Sequence, residues 1–352
     1  MSRFFSDKYS LLTPYTPGEQ PQQMKYVKLN TNESPFPPSE KALDYAAANT
    51  RPLNLYSDPE CAGLNRLLAE AYGLSPDEVI TTNGSDEILN FAFMAFCDAN
   101  TPAVFPDITY GFYPVFAALN GLPYREIPLK EDFSVAPADY YGAKATVFIA
   151  NPNAPTGIAL TRGEIEGIIK ANADNVVVVD EAYVDFGGES CIPLIHKYKN
   201  LLVTQTFSKS RSLAGARLGY GIACRELIGD LNTIRYSTNP YNINSMTMAT
   251  GIGVLLDKPY FDANCGKIIE NRAYTVSRLR ELGFEVLPSS ANFVFARTPK
   301  MEGGELYRRL KDKGILVRHF DKTRISDFNR ITIGTAEQMD ILIDALKMLL
   351  EV

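Results

Sequence analysis

The residues able to do chemistry sit in a few short motifs, and the most telling is Thr206-Phe207-Ser208-Lys209-Ser210, directly after an apolar run. A lysine is ordinarily a solvated surface charge. The flanking hydroxyls and the glycines that follow (Gly215, Gly219, Gly221) argue instead for a built site. Held partly out of water, a lysine amine becomes a nucleophile toward carbonyls and a proton carrier. Asp180 closes the run of four valines at 176–179, at the C-terminal end of a strand that reads as buried. Open α/β sheets place their ligands there. A carboxylate in that position either faces a cationic partner or caps a loop, and the motif alone leaves both open. Asn83-Gly84-Ser85-Asp86 is a strand-to-helix turn, whose free N–H groups and helix dipole favour an anion. An ordinary N-cap has the same pattern. Arg217, eight residues past Lys209, can offer a guanidinium fork to that anion.

Taken together, these parts describe a pocket for pyridoxal 5'-phosphate. Lys209 would take the aldehyde carbon and Asp180 the protonated ring nitrogen. Gly84, Ser85, Asp86, Ser208 and Arg217 would hold the phosphate. Tyr110, in Pro106-Asp107-Ile108-Thr109-Tyr110, could lie on the ring face, and Tyr183, three residues past Asp180, could reach the phenolic oxygen. Asn151-Pro152-Asn153-Ala154-Pro155-Thr156-Gly157 forms a tight turn after another apolar run.

Other chemistries lack their parts. The sequence contains no G-x-x-x-x-G-K-[ST] loop, no G-x-G-x-x-G opening a helix after the first strand, and no G-x-S-x-G elbow. His196 and His319 are the two histidines, too few for a multi-histidine metal site, so no metal is expected. The five cysteines (Cys61, Cys97, Cys191, Cys224, Cys265) form no C-x-x-C pair and read as reduced, buried thiols. The formal charge is −6 with no basic block, which argues against nucleic acid. No apolar run approaches the roughly 20 residues a membrane span takes. Met1 to Tyr9 lacks a signal-peptide h-region, so a cytoplasmic protein is expected.

The elements that must position these motifs follow from periodicity. At 352 residues with 45% hydrophobic residues, the chain is too long for one core. The first 40 residues carry six prolines between Pro14 and Pro38 and read as an extended arm. Residues 41–250 read as a large α/β domain. A short β-prone run at 79–82 predicts one strand, and continuous apolar runs at 103–105, 145–150, 176–179 and 201–206 predict strands buried on both faces. Capping boxes at Ser75-Pro76-Asp77-Glu78 and Thr161-Arg162-Gly163-Glu164 open helical segments between them. Alternation of this kind predicts a mostly parallel mixed sheet between helices. Residues 251–352 read as a smaller α+β domain, with helices at 260–282, 304–313 and 336–350 and strands at 284–287, 293–296 and 330–333.

Seven motifs in fixed order resemble the fold-type I pyridoxal phosphate aminotransferases, and within them the histidinol-phosphate aminotransferases. They are Leu29-Asn30-Thr31-Asn32-Glu33-Ser34-Pro35, Tyr56-Ser57-Asp58-Pro59, the Asn83 turn, the Asn151 turn, Asp180-Glu181-Ala182-Tyr183, Ser208-Lys209 and Arg330-Ile331-Thr332-Ile333-Gly334-Thr335. The resemblance spans essentially the whole chain. It implies a homodimer in which Tyr56 reaches the phosphate of the partner's cofactor, Tyr15 closes over the substrate from the arm, and Arg330 grips the substrate's anionic group with Arg318 beside it. Asn32 is implied as a further substrate contact. One departure stands out: where the family has a second Asn bonding the cofactor's phenolic oxygen, this chain has Ala154. Asn153 or Asn151 then takes that contact, or Tyr183 carries it alone.

The activity so implied is transamination between glutamate and imidazole-acetol phosphate, giving histidinol phosphate and 2-oxoglutarate. Lys209 would move the proton and Asp180 and Tyr183 would tune the cofactor. An aromatic amino-acid aminotransferase or a threonine-phosphate decarboxylase-like enzyme would share the same cofactor residues. A cofactor-binding regulator without turnover would usually need an additional DNA-binding domain, for which this chain has no room.

Overall fold

The computed structural model of the chain describes residues 2–10 and 12–351. Its strands, in chain order, are β1 (Val27–Lys28), β2 (Val79–Thr82), β3 (Ala103–Pro106), β4 (Tyr124–Ile127), β5 (Thr146–Ala150), β6 (Val177–Asp180), β7 (Leu201–Thr206), β8 (Gly219–Ala223), β9 (Glu285–Val286), β10 (Phe293–Arg297), β11 (Ile315–Leu316), β12 (Arg318–His319) and β13 (Asn329–Thr332). Its α-helices are α1 (Glu40–Ala48), α2 (Ala62–Tyr72), α3 (Ser85–Phe96), α4 (Tyr113–Asn120), α5 (Arg162–Ala171), α6 (Arg225–Thr238), α7 (Ser245–Leu255), α8 (Lys258–Glu281), α9 (Gly303–Asp312) and α10 (Ala336–Leu350).

Seven strands form the central sheet in the order β2-β8-β7-β6-β5-β3-β4. All run parallel except β8, which is antiparallel to both its neighbours. The apolar runs are continuous because the sheet feeds two cores. Val147, Ile149, Val177, Val179, Leu201 and Val203 pack with α2 and α5 on one face. Phe148, Val178 and Leu202 pack with α3, α4 and α6 on the other. Successive side chains on a strand point to opposite faces, so both registers must be apolar. Both expected capping boxes are present, at Ser75 and at Thr161.

A four-stranded antiparallel sheet, β12-β13-β10-β9, is covered by α8, α9 and α10. The expected arm is tied into this unit rather than lying loose. β1 pairs in parallel with β11, and Leu29 is buried in the same core as Phe293 and Leu342.

Sequence periodicity missed two strands of the central sheet. β8 contains Gly219 and Gly221 and carries no element expected from the sequence, yet it is fully buried. β4 lies at the edge with three of four residues exposed, so it carries no apolar run. Among the described residues, no helix is long and apolar enough to cross a membrane.

Candidate active site

Parallel strands aim all their C-terminal ends at one edge, and the antiparallel β8 begins at that same edge. Thr82 leads to the Gly84 turn, Pro106 to Tyr110, Ala150 to the Asn151 turn, Asp180 closes β6, and Thr206 leads to Lys209. Arg217 immediately precedes β8, whose first residue pairs with both Thr82 and Thr206. Motifs up to 132 residues apart, Ser85 and Arg217, therefore converge on one cavity of about 540 Å³ including its mouth. It is lined by Ser85, Asp86, Tyr110, Asp180, Tyr183, Ser208, Lys209 and Arg217, together with Ala150, Pro152, Ala154, Ala182 and Thr206.

At one end lies an anion cup. Gly84 precedes α3 with φ +79°, a conformation that favours glycine. A Cβ there would meet Arg217 Nη2 at 2.6 Å. A Cβ on Gly219 would meet Ser85 N at 2.4 Å, so that glycine lets the turn sit directly on β8. Arg217 is itself left-handed, at φ +57°, an unfavourable conformation kept where the surroundings impose it. Its guanidinium pairs with Asp86 at 3.0 Å and reaches Ser208 Oγ at 3.5 Å. Tyr110 donates to the other Asp86 oxygen at 2.6 Å, and burial together with the Asp86 charge pushes its phenol well above the usual range.

At the other end lies Asp180, buried, accepting from Tyr113 Oη at 3.1 Å and Thr204 Oγ1 at 3.3 Å. Burial pushes its carboxyl up to about 6. The Ala182 backbone N–H is a third neutral donor, and with no cation among them the carboxylate is suited to a protonated nitrogen. Lys209 Nζ lies between the two ends, donating to Thr31 O at 3.2 Å and 5.8 Å from the Tyr183 ring centroid. Tyr183 Oη accepts from Asn32 Nδ2 at 3.0 Å.

A second cavity opens beside the first and shares Tyr110 and Ala154 with it. Tyr15, Arg318 and Arg330 line it. The Tyr15 ring stacks on Phe112 at 4.1 Å and leans on Tyr110 at 6.5 Å. Arg318 donates to the arm carbonyls of Thr16 and Pro17 at 3.0 and 3.1 Å. Arg330 Nη2 donates to Asn30 O at 3.1 Å, while its buried Nε has no partner. Burial pulls the Arg330 guanidinium below its usual range.

Two expected contacts are placed elsewhere. Asn153 commits its amide to Ile108 O, Thr156 Oγ1 and Thr109 Oγ1, and does not face the cavity. Asn151 exchanges both its amide bonds with the Leu160 backbone. That leaves Tyr183 as the remaining candidate for the contact vacated at Ala154. Asn32 lines neither cavity; its side chain is shared between Tyr183 and Thr332. Tyr56, expected to act in the partner's site, is 83% exposed, stacks on Tyr241 at 4.4 Å and lines neither cavity of its own chain. Sequence reasoning missed Tyr113 and Phe112. Their signal was present in Tyr110-Gly111-Phe112-Tyr113, where an aromatic pair opens α4.

Lys209, Asp180 and the anion cup thus share one cavity, and known proteins share the chain's pattern. The family described as aminotransferase class I and II matches residues 24–346. The chain belongs to that family. As an aminotransferase it is 48% identical over its whole length to a histidinol-phosphate aminotransferase from Brachyspira hyodysenteriae, covering all of that protein. It is 49% identical over 99% of its length to another from Marinomonas sp., again covering all of that protein. Its fold is similar to the crystal structure of histidinol-phosphate aminotransferase from Sinorhizobium meliloti in complex with pyridoxal-5'-phosphate. The TM-score there is 0.85 and the identity 25%, over 93% of this chain and 92% of that one.

Proposed function

We propose that the chain is a pyridoxal phosphate-dependent transaminase acting between glutamate and imidazole-acetol phosphate, with histidinol phosphate and 2-oxoglutarate as products. The observation that carries the reading is the juxtaposition of Lys209 and the uncompensated Asp180 in one cavity, beside a second cavity holding Arg318 and Arg330. The donor set fits the cofactor: a helix N-terminus, Ser85, Ser208 and Arg217 for its phosphate, and Asp180 for its ring nitrogen. When bound, the cofactor supplies an electron-withdrawing ring that stabilises negative charge on the substrate carbon.

The chain's own residues do the rest. Asp180 holds the proton at the ring nitrogen. Lys209 Nζ takes the proton from the substrate carbon and delivers it again, and so must be free to swing between Thr31 and the cavity. Asn32 fixes the Tyr183 hydroxyl. Arg330, with an unpartnered Nε, accepts the substrate's anion, a carboxylate in one half-reaction and a phosphate in the other. Arg318 flanks it. Tyr15 covers the cavity and excludes water.

Tyr56, Leu53 and Leu55 are 83%, 51% and 66% exposed, an apolar patch of the kind that marks an interface. A second copy of this chain would bury it and carry Tyr56 to the cofactor phosphate. The division into an arm at 1–40 and domains at 41–250 and 251–352 belongs to the same proposal, with the two cavities at the domain junction. A cytoplasmic location fits the absence of membrane helices among the described residues.

Product analysis tests the substrate. Holoenzyme given histidinol phosphate and 2-oxoglutarate should form glutamate in amounts matching the phosphate ester consumed. Turnover of phenylalanine or tyrosine with none of histidinol phosphate would reassign the substrate. Release of carbon dioxide from a phosphorylated amino acid would reassign the reaction.

A further inference from the structure

The second cavity has an electrostatic peculiarity. Arg318 and Arg330 are register partners on antiparallel β12 and β13, and like charges directly opposite each other in a sheet are destabilising. The ring of Phe320 lies 5.5 Å from one guanidinium and 5.6 Å from the other, which orients both without neutralising either. A third cation, Lys322, lines the same cavity, and no acidic residue does. Of the acids nearby, Asp107 pairs with Arg324 at 3.2 Å and accepts from Leu129 N at 2.8 Å, Glu19 pairs with Lys311 and Tyr307, and Asp321 is exposed outside the cavity lining. Lys322 Nζ has one protein contact, a long 3.3 Å bond to the Asp107 backbone carbonyl. Lys322 is exposed, yet it lines a cavity that already holds two positive charges.

Glutamate spreads its two negative charges over two separate carboxylates, and one bidentate arginine suffices for either of them. A phosphate monoester carries nearly two charges at neutral pH and three acceptor oxygens. We propose that Lys322 is a specificity-determining residue that, with Arg318 and Arg330, selects a substrate bearing a phosphate dianion over one bearing a carboxylate. The inference rests on the proposed phosphate-ester substrate and adds a residue and a basis for discrimination to it. Being a flexible point charge, Lys322 can move toward a dianion and stay on the Asp107 carbonyl when a smaller anion is bound.

The test compares wild-type, Lys322→Gln and Lys322→Arg holoenzymes on the two half-reactions, with inorganic phosphate as a competing anion. Lys322→Gln should lower the ratio of kcat/KM for histidinol phosphate to that for glutamate about tenfold, as expected for one charge-assisted contact. The change should lie in KM, the inhibition constant for inorganic phosphate should rise in parallel, and Lys322→Arg should restore most of both. A ratio within about twofold of wild type, or equal losses on both substrates, would overturn the assignment. If the wild type does not turn over histidinol phosphate, the proposed function fails; the inorganic-phosphate comparison still decides the role of Lys322.

Discussion

Asp180 shows most clearly how a single residue couples stability to function. Its carboxyl is pushed up to about 6 by burial, so the stability it contributes is present at low pH and lost as pH rises through that value. Neighbouring Glu181, the first residue past β6, behaves the same way, its carboxyl pushed up to about 7 by burial. The cofactor-free protein should therefore lose stability between about pH 4 and pH 7 from these two groups. Asp180→Asn should remove part of that loss and raise the stability of the cofactor-free protein at about pH 8 by roughly 2 kcal/mol, measured by urea unfolding. The same substitution should weaken cofactor binding, measured by equilibrium dialysis. A variant less stable than wild type at that pH would mean the carboxylate already has a compensating partner in the cofactor-free protein.

Among the elements, β8 matters most to the anion cup. It is the antiparallel member of the central sheet, and it delivers Arg217 and Gly219 against the start of α3. Gly219→Ala should cost about 1–3 kcal/mol by overpacking and should reduce affinity for inorganic phosphate or the cofactor, because the Cβ pushes on Ser85 N. Gly229→Ala, at a helical glycine with open space around it, is the control and should be neutral or slightly stabilising. Equal losses from both variants would contradict the close-approach argument. The apolar strands carrying Asp180 and Lys209 were legible in the sequence because their runs are continuous, and their helices were legible through capping boxes. β8 was not, since its glycines serve a contact made across the sheet. Nor was the fate of Asn153, because an amide in a turn can face inward or outward and the hydroxyls that claim it lie 44 residues away at Thr109 and three away at Thr156.

At the scale of the molecule, the second cavity is lined by the arm, the small sheet and the loops leaving the central sheet, and the first opens beside it. Tyr183 and Ala154 belong to the core of the smaller unit while lining the cavity of the larger one. The arm is pinned by Glu19 to α9 and by Tyr15 to Phe112, so it bridges the two units over the site. Tyr56 lines neither cavity of its own chain, which gives the proposed dimer a direct consequence. Lys209→Ala and Tyr56→Ala proteins, each nearly inactive alone, should on mixing and subunit exchange recover about a quarter of wild-type activity. Half the dimers are then mixed, and each mixed dimer has one intact site. Activity that never exceeds the sum of the separate variants would place Tyr56 outside the partner's site.

Above all, Lys209 must hold the cofactor. This is tested most directly by adding pyridoxal phosphate to the purified protein, trapping the lysine-bound form with borohydride and mapping the modified peptide by mass spectrometry. Visible absorbance before reduction and one stoichiometric modification at Lys209 are expected, with both lost in Lys209→Ala. Stoichiometric labelling of another lysine, or none at all, would contradict the assignment.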